Sequence, residues 1–444
     1  MTGRFLMGLD SLHSTDTQSR STPHSGMTER INLHRFLLDK INLARLETID
    51  LESLRQELTA PVRAYLRENR LVLNAEELSL LISDVADELI GFGPIEPLLK
   101  DDSISDILIL GHGTIYVERG GKLYLTGVHF ADEAHLMRVV NKIVSRIGRR
   151  VDESAPLVDA RLPDGSRVNV AIRPIAIDGP QVSIRKFARH PYRIETLVEF
   201  GSLSRSMADL LTHAIEGKVS TVISGGTGSG KTTLLNALST AIPFEERLVT
   251  IEDAAELQLQ QPHVVRMETR PASLEGRNEI SQRDLVRNAL RMRPDRIIVG
   301  EVRGAEAFDM LQAMNTGHDG SMTTVHANTP RDAIARIEQM VGMAGMPMTA
   351  QAIREQVASA IHLVVQTARL RDGVRRVTAI SEITGMEDGA VLMRDIMVFK
   401  TEGVDMSGKI IGHFQATGVV PDFVSRIASI GVKLDPVIFR AGPA

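Results

Sequence analysis

Apolar residues recur at three- and four-residue spacing at Leu78, Leu81, Ile82, Val85, Leu89 and Ile90, which draws one stripe along a helix. The stripe stops at Gly91-Phe92-Gly93-Pro94, where two glycines and a proline without an amide donor disfavour helix. Residues 31–92 are therefore expected to form a small helical bundle. Residues 1–30, rich in Ser, Thr, His and Gly without a period, read as a flexible tail. Over 93–190 the signals mix. Ile107–Leu110, Ile115–Val117, Val168–Ile172 and Gln181–Arg185 read as short strands, Ala134–Ile147 as a helix, and Leu162–Ser166 as a turn. An α+β domain is predicted there, with 191–200 as its exit linker. From 201 to 444, apolar runs alternate with helical periods. Val219–Ile223, Leu248–Ile251, Arg296–Val299 and Met322–Val325 carry almost no polar alternation, which predicts parallel strands covered by helices on both faces.

Composition narrows the classes without choosing among them. With 43% hydrophobic and 24% charged residues in 444, the chain is globular over most of its length and long enough for two or three cores. It has no cysteine, so disulfide and thiolate chemistry are out. A net charge of -5 with 4% aromatics and no Trp argues against a protein built to coat or stack on nucleic acid. No apolar run approaches the roughly 18 residues of a membrane span. A soluble, cytoplasmic protein is expected.

The strongest chemical signal is Gly225-Gly226-Thr227-Gly228-Ser229-Gly230-Lys231-Thr232-Thr233, a G-x4-G-K-[ST] pattern. Its glycines let backbone amides turn inward onto phosphate oxygens, and the following helix points its positive end at the same anion. Lys231 suits the β- and γ-phosphates and the Thr232 hydroxyl suits Mg2+. The preceding strand and following helix favour a nucleotide site over a glycine-rich turn.

Two acidic stretches follow apolar runs. Arg296-Ile297-Ile298-Val299-Gly300-Glu301 would deliver Glu301 at the carboxyl end of a strand beside the loop, to Mg2+ or to an attacking water. Thr250-Ile251-Glu252-Asp253-Ala254-Ala255-Glu256-Leu257 offers Glu252 as a metal or water ligand, against the plainer reading that Asp253 or Glu256 caps a helix. His318 and His326 bracket a glycine-broken segment and suit a γ-phosphate sensor, or a structural role. Arg161, Arg167, Arg173 and Arg185 are candidate donors of positive charge to a transferring phosphoryl group, or solvated surface residues.

Together these motifs resemble the type II/type IV secretion ATPase superfamily, nearest to the CpaF/TadA-type ATPases of tight-adherence (Flp) pili. Gly91–Leu99 resembles the family's entry into the N-terminal domain, Gly225–Thr233 its Walker A loop and Thr250–Leu257 its Asp box. Leu290–Gly304 resembles its atypical Walker B and Ala313–Asn328 its His box. Leu110 departs from the pattern, standing where these proteins usually carry Asn, and the four-cysteine zinc segment of type II members is missing.

The resemblance implies an α/β fold: a RecA-like P-loop domain with a parallel-strand core, preceded by the α+β domain and the helical bundle. It implies ATP/ADP and Mg2+ as cofactors, with Thr232, Glu252 and Glu301 at the metal. Glu301, Glu252, Lys231, His326 and the four arginines would be catalytic. It further implies a homo-oligomer, expected to be a hexamer, associated with the inner membrane through a platform protein; the net charge of -5 and scarce aromatics lead us to expect no nucleic-acid partner. Three alternatives remain: a RecA-like nucleic-acid translocase, an ATP-binding ring scaffold without turnover, and a small-molecule kinase.

Overall fold

The computed structural model describes residues 33, 36, 51–187, 192–270, 272 and 277–443. The tail read at 1–30 and the start of the bundle read at 31–92 lie outside them, apart from Leu33 and Phe36. Two compact units divide the chain. The first takes in the residues up to Arg119, with Leu123–Leu162 and Val168–Arg185; the second takes in Gly120–Lys122, Pro163–Arg167 and the chain from Lys186.

The first unit opens with the helices Leu51–Glu68 and Ala75–Leu89. Asn74 caps the second, accepting from the Glu77 amide while the Glu77 carboxylate accepts from the Asn74 amide. Leu54, Leu58, Val62, Ile82, Val85 and Ala86 bury the seam. A six-stranded sheet follows in the order β3-β2-β1-β6-β5-β4. Its strands are β1 (Ile104–Leu110), β2 (Thr114–Arg119), β3 (Lys122–Leu125), β4 (Leu157–Arg161), β5 (Arg167–Ala171) and β6 (Gln181–Arg185). Alternate residues point inward in β4, β5 and β6, and the helix Glu133–Ser145 covers that face with Leu136, Val140, Ile143 and Val144.

The second unit holds a ten-stranded sheet, ordered β16-β15-β14-β13-β12-β7-β11-β10-β8-β9. Six strands are parallel: β7 (Thr221–Gly225), β8 (Leu248–Glu252), β9 (Val264–Glu268), β10 (Arg296–Val302), β11 (Met322–Val325) and β12 (Leu363–Arg369). Every residue of β7, β8 and β11 is buried, as expected of strands sandwiched between helices. The antiparallel extension β13 (Arg375–Glu387), β14 (Ala390–Val404), β15 (Ile410–Ala416) and β16 (Gly442–Pro443) is absent from the sequence reading, which carries the alternating pattern to the end of the chain.

Two further differences have local causes. The 191–200 stretch, read as a linker, contains the helix Ile194–Glu199, because Ile194 and Leu197 are buried in the core of the second unit. The strand beside the phosphate-loop strand is β11, not β10: β11 pairs with β7 on one side and β10 on the other. Glu301 therefore sits one strand further from the loop than expected.

At the amino-terminal edge of this sheet, the fully buried Arg296 forms a bidentate pair with Glu246 (2.6 and 2.9 Å) and donates to the Ile215 carbonyl (2.6 Å). Gly320 adopts φ +77°, and a Cβ there would meet Arg296 Nη1 at 2.7 Å. This ion pair binds three chain segments at the edge opposite the phosphate loop.

Candidate functional site

Parallel strands bring their carboxyl ends to one edge, where the ligands of such sheets bind. Along this edge lie Gly225 of β7, His326 just beyond β11, Glu301 of β10 and Glu252 of β8. The loop leaves β7 at Gly225, takes Gly228 and Gly230 through positive φ (+69° and +96°) and enters the helix Lys231–Ser239. Gly230 is the residue before that helix, so the amides of the first turn face the loop's hollow. Lys231 Nζ donates to the carbonyls of Gly225 (3.0 Å) and Gly226 (3.1 Å). Burial lowers the ammonium's pKa below its usual value, and the charge of Glu301 works the other way.

Glu301 owes its position to a bulge. Val299 pairs with Thr323 and Val302 with Val325, so three steps on β10 match two on β11. The extra residue falls at Gly300-Glu301, and the Thr324 hydroxyl satisfies the Gly300 carbonyl at 2.7 Å. Bulges beside a site commonly re-aim a side chain in this way. Two strand spacings, about 10 Å, separate β10 from β7, which leaves room for a phosphate and a water between carboxylate and loop. Arg303 donates to Glu301 Oε2 (2.9 Å from Nε) and lies 3.5 Å from Asp253. It fixes the carboxylate, a role that the sequence reading does not assign.

Glu252 is 3% exposed. Its Oε2 accepts from the amides of Glu256 (2.7 Å) and Leu257 (2.9 Å), while its Oε1 is buried without a partner among the described residues. Burial raises its pKa to about 6, against the pull of those two amides. Gly300 makes the space: a Cβ there would meet Glu252 Cγ at 2.9 Å. No helix follows Asp253, since the next element is β9, so Asp253 and Glu256 have no helix to cap.

Among the described residues, no three His, Cys, Asp or Glu side chains gather as a metal cage. Mg2+ is nevertheless suited to one or two carboxylates plus substrate phosphates. The unpartnered Glu252 Oε1, Glu301 and the first-turn hydroxyl of Thr232 have the right chemistry for such a donor set.

The structure parts the two histidines. His326 sits at the carboxyl edge, and Gln366 of β12 donates to the carbonyl of the next residue, Ala327, at 3.2 Å. His318 precedes β11 and bonds the Ala313 carbonyl through Nδ1 (3.2 Å), so it belongs to the opposite edge. The arginines divide as well. Arg161 and Arg167 flank the turn between β4 and β5, Arg185 ends β6 beside Asp106 (3.2 Å), and Arg173 lies past the far end of β5 near Glu133 (4.0 Å). Five residues of strand, about 13 Å between end Cα atoms, keep Arg173 from Arg167, so one phosphate cannot engage the whole set. Leu110 is exposed at the end of β1.

A cavity beside the loop has no counterpart in the sequence reading. Its lining includes Tyr192, Phe200, Leu203, Gly230, Thr233 and Arg375. The rings of Tyr192 and Phe200 meet edge-on at 5.4 Å, and Arg375 Nε donates to the Gly228 carbonyl at 2.9 Å. Flat apolar walls next to a phosphate loop suit a nucleobase.

A phosphate loop on a parallel core, with a carboxylate delivered one strand beyond its neighbour, makes this a RecA-like nucleotide-binding domain. A family model for "Type II/IV secretion system protein" matches residues 88–399, and the chain belongs to that family of ATPases. It is 36% identical over 332 residues to a Mycobacterium tuberculosis protein named for conjugal transfer, covering 70% of this chain and 94% of that one. It is 31% identical to the type IV secretion system protein VirB11 of Bartonella quintana, covering 67% and 93%. The crystal structure of the VirB11 ATPase of Brucella suis aligns at 28% identity with a TM-score of 0.35, covering 65% of this chain and 94% of that one.

Proposed function

We propose that this chain is a Mg-dependent ATP-hydrolysing motor of the CpaF/TadA type. It assembles as a hexamer and powers pilus assembly or protein secretion across the bacterial inner membrane. It works from the cytoplasm against a membrane platform protein. The observation that carries the reading is the row of Lys231, His326, Glu301 and Glu252 along one sheet edge, in a chain of the type II/IV secretion family.

The placement of these side chains supports a mechanism. The amides of Gly225–Thr233 and the Lys231 ammonium hold the β- and γ-phosphates. Thr232, Glu252 and Glu301 would hold Mg2+, which when bound neutralises phosphate charge. Glu301, steadied by Arg303, orients and deprotonates the attacking water. His326 reads the γ-phosphate from between the loop and Glu301. Arg161, Arg167 and Arg185 are the candidates for charge donation to the transition state, with Arg173 apart from them. Tyr192 and Phe200 hold the base.

The test is phosphate release from purified protein with Mg-ATP, beside Glu301→Gln at equal oligomer concentration, with and without single-stranded DNA. Turnover that is lost in the variant and indifferent to DNA supports the motor. Strong stimulation by DNA makes the chain a nucleic-acid translocase, and wild-type turnover in Glu301→Gln removes the glutamate as base.

A further inference from the structure

The phosphate loop is fastened from outside itself. Thr367 of β12, 3% exposed, lies opposite Gly225 in the β12–β7 register. Its hydroxyl donates to the Ser224 carbonyl at 3.0 Å. That uses its single proton, so in the 2.9 Å contact between Thr367 Oγ1 and Ser229 Oγ the serine is the donor. Ser229 is equally buried at 3%. The two hydroxyls form a chain from Ser229 to Thr367 to the Ser224 carbonyl, which ties the end of the loop to its beginning. Gly225 is the residue enclosed: a Cβ there would collide with Ser229 Oγ and with Thr367. The first glycine of the motif thus has a specific reason in this chain, since any side chain would displace the relay.

We propose that Thr367 is a positioning residue for nucleotide binding, presetting the phosphate loop through this hydroxyl relay. The proposal rests on the nucleotide reading of the loop. A loop held in its bound shape before phosphate arrives loses less freedom on binding. Loss of the relay should therefore weaken ground-state and transition-state binding alike, raising KM while sparing kcat. General destabilisation would not produce that split.

Affinity for a fluorescent ADP analogue, together with KM and kcat for ATP, would be measured for wild type, Thr367→Val, Thr367→Ser, Ser229→Ala and the Thr367→Val/Ser229→Ala double variant. Loss of buried hydroxyl bonding should raise Kd and KM about tenfold in Thr367→Val, with kcat within about twofold. Thr367→Ser should recover wild-type values. The double variant should be no worse than the poorer single one, since both remove the same chain of bonds. Wild-type Kd and KM in a folded Thr367→Val, or single effects that multiply in the double variant, would overturn the relay. Should Thr367→Val fail to fold by circular dichroism, Ser229→Ala and Thr367→Ser decide: a raised KM in the first and a normal KM in the second support it, and any other pattern overturns it. Failure of the wild type to bind the analogue would instead overturn the nucleotide reading, and the relay with it.

Discussion

Replacing Glu252 with glutamine tests the burial argument directly, because the amide keeps an oxygen for the Glu256 and Leu257 N–H groups and removes only the charge. Burial raises the folded-state pKa from the ordinary 4.5 to about 6. A carboxyl raised in this way favours the folded state while protonated, below the unfolded value, and loses that advantage as pH rises through about 6. A shift of about 1.5 units costs the folded protein about 2 kcal/mol at pH 8 but only about 0.8 kcal/mol at pH 5. Relative to wild type, Glu252→Gln should therefore gain about 1.2 kcal/mol between pH 5 and pH 8. Urea unfolding followed by far-ultraviolet circular dichroism at the two pH values measures this difference. Other titrating groups, such as His362, which burial lowers to about 4, are common to both chains and cancel. A difference that stayed flat or fell with pH would mean that Glu252 ionises like an exposed glutamate, and the account of its buried, unpartnered oxygen would fail.

Three further outcomes follow from the packing. Gly300→Ala should push Glu252 out of place, costing about 1–3 kcal/mol of stability by overpacking and most of the ATPase rate, read by thermal melts and phosphate release. Glu246→Ala strips the buried Arg296 of its counter-charge and should destabilise the second unit by about 3–5 kcal/mol; a melting temperature equal to wild type would refute this role for the ion pair. Tyr192→Ala should weaken ADP binding several-fold while leaving inorganic triphosphate binding unchanged, measured by calorimetry, and equal losses for both ligands would remove the aromatic wall from the base site.

The parts legible in the sequence are those whose chemistry is written locally. The phosphate loop occupies consecutive residues, and β8, β10 and β11 are short apolar runs because they are buried on both faces, so Glu252 and Glu301 could be placed at strand ends from composition alone. The bulge at Gly300 lay outside that reading, which ended the strand at Val299. What stayed hidden depends on pairing between distant segments. Thr367 and Arg375 reach the loop only because β12 docks beside β7, and nothing in the string Leu363–Arg369 announces that neighbour. The helix Ile194–Glu199 is too short to establish a period, and only its docking in the core reveals why Ile194 and Leu197 are apolar. The order of β7, β11 and β10 is likewise a property of crossovers, which no strand encodes by itself.

The strand carrying the phosphate loop is flanked by β11 and β12, both made much later in the chain, and this sets a timetable for biosynthesis. Ser229 and Thr367 are 138 residues apart, so at the usual pace of translation roughly 7 to 30 s pass between them. Until β11 is made a nascent chain carries a completed glycine motif with neither neighbouring strand to frame it, and from then until β12 emerges it has β11 alone. With the relay as its fastening, the loop reaches its preset shape only once β12 has been made, after most of the chain.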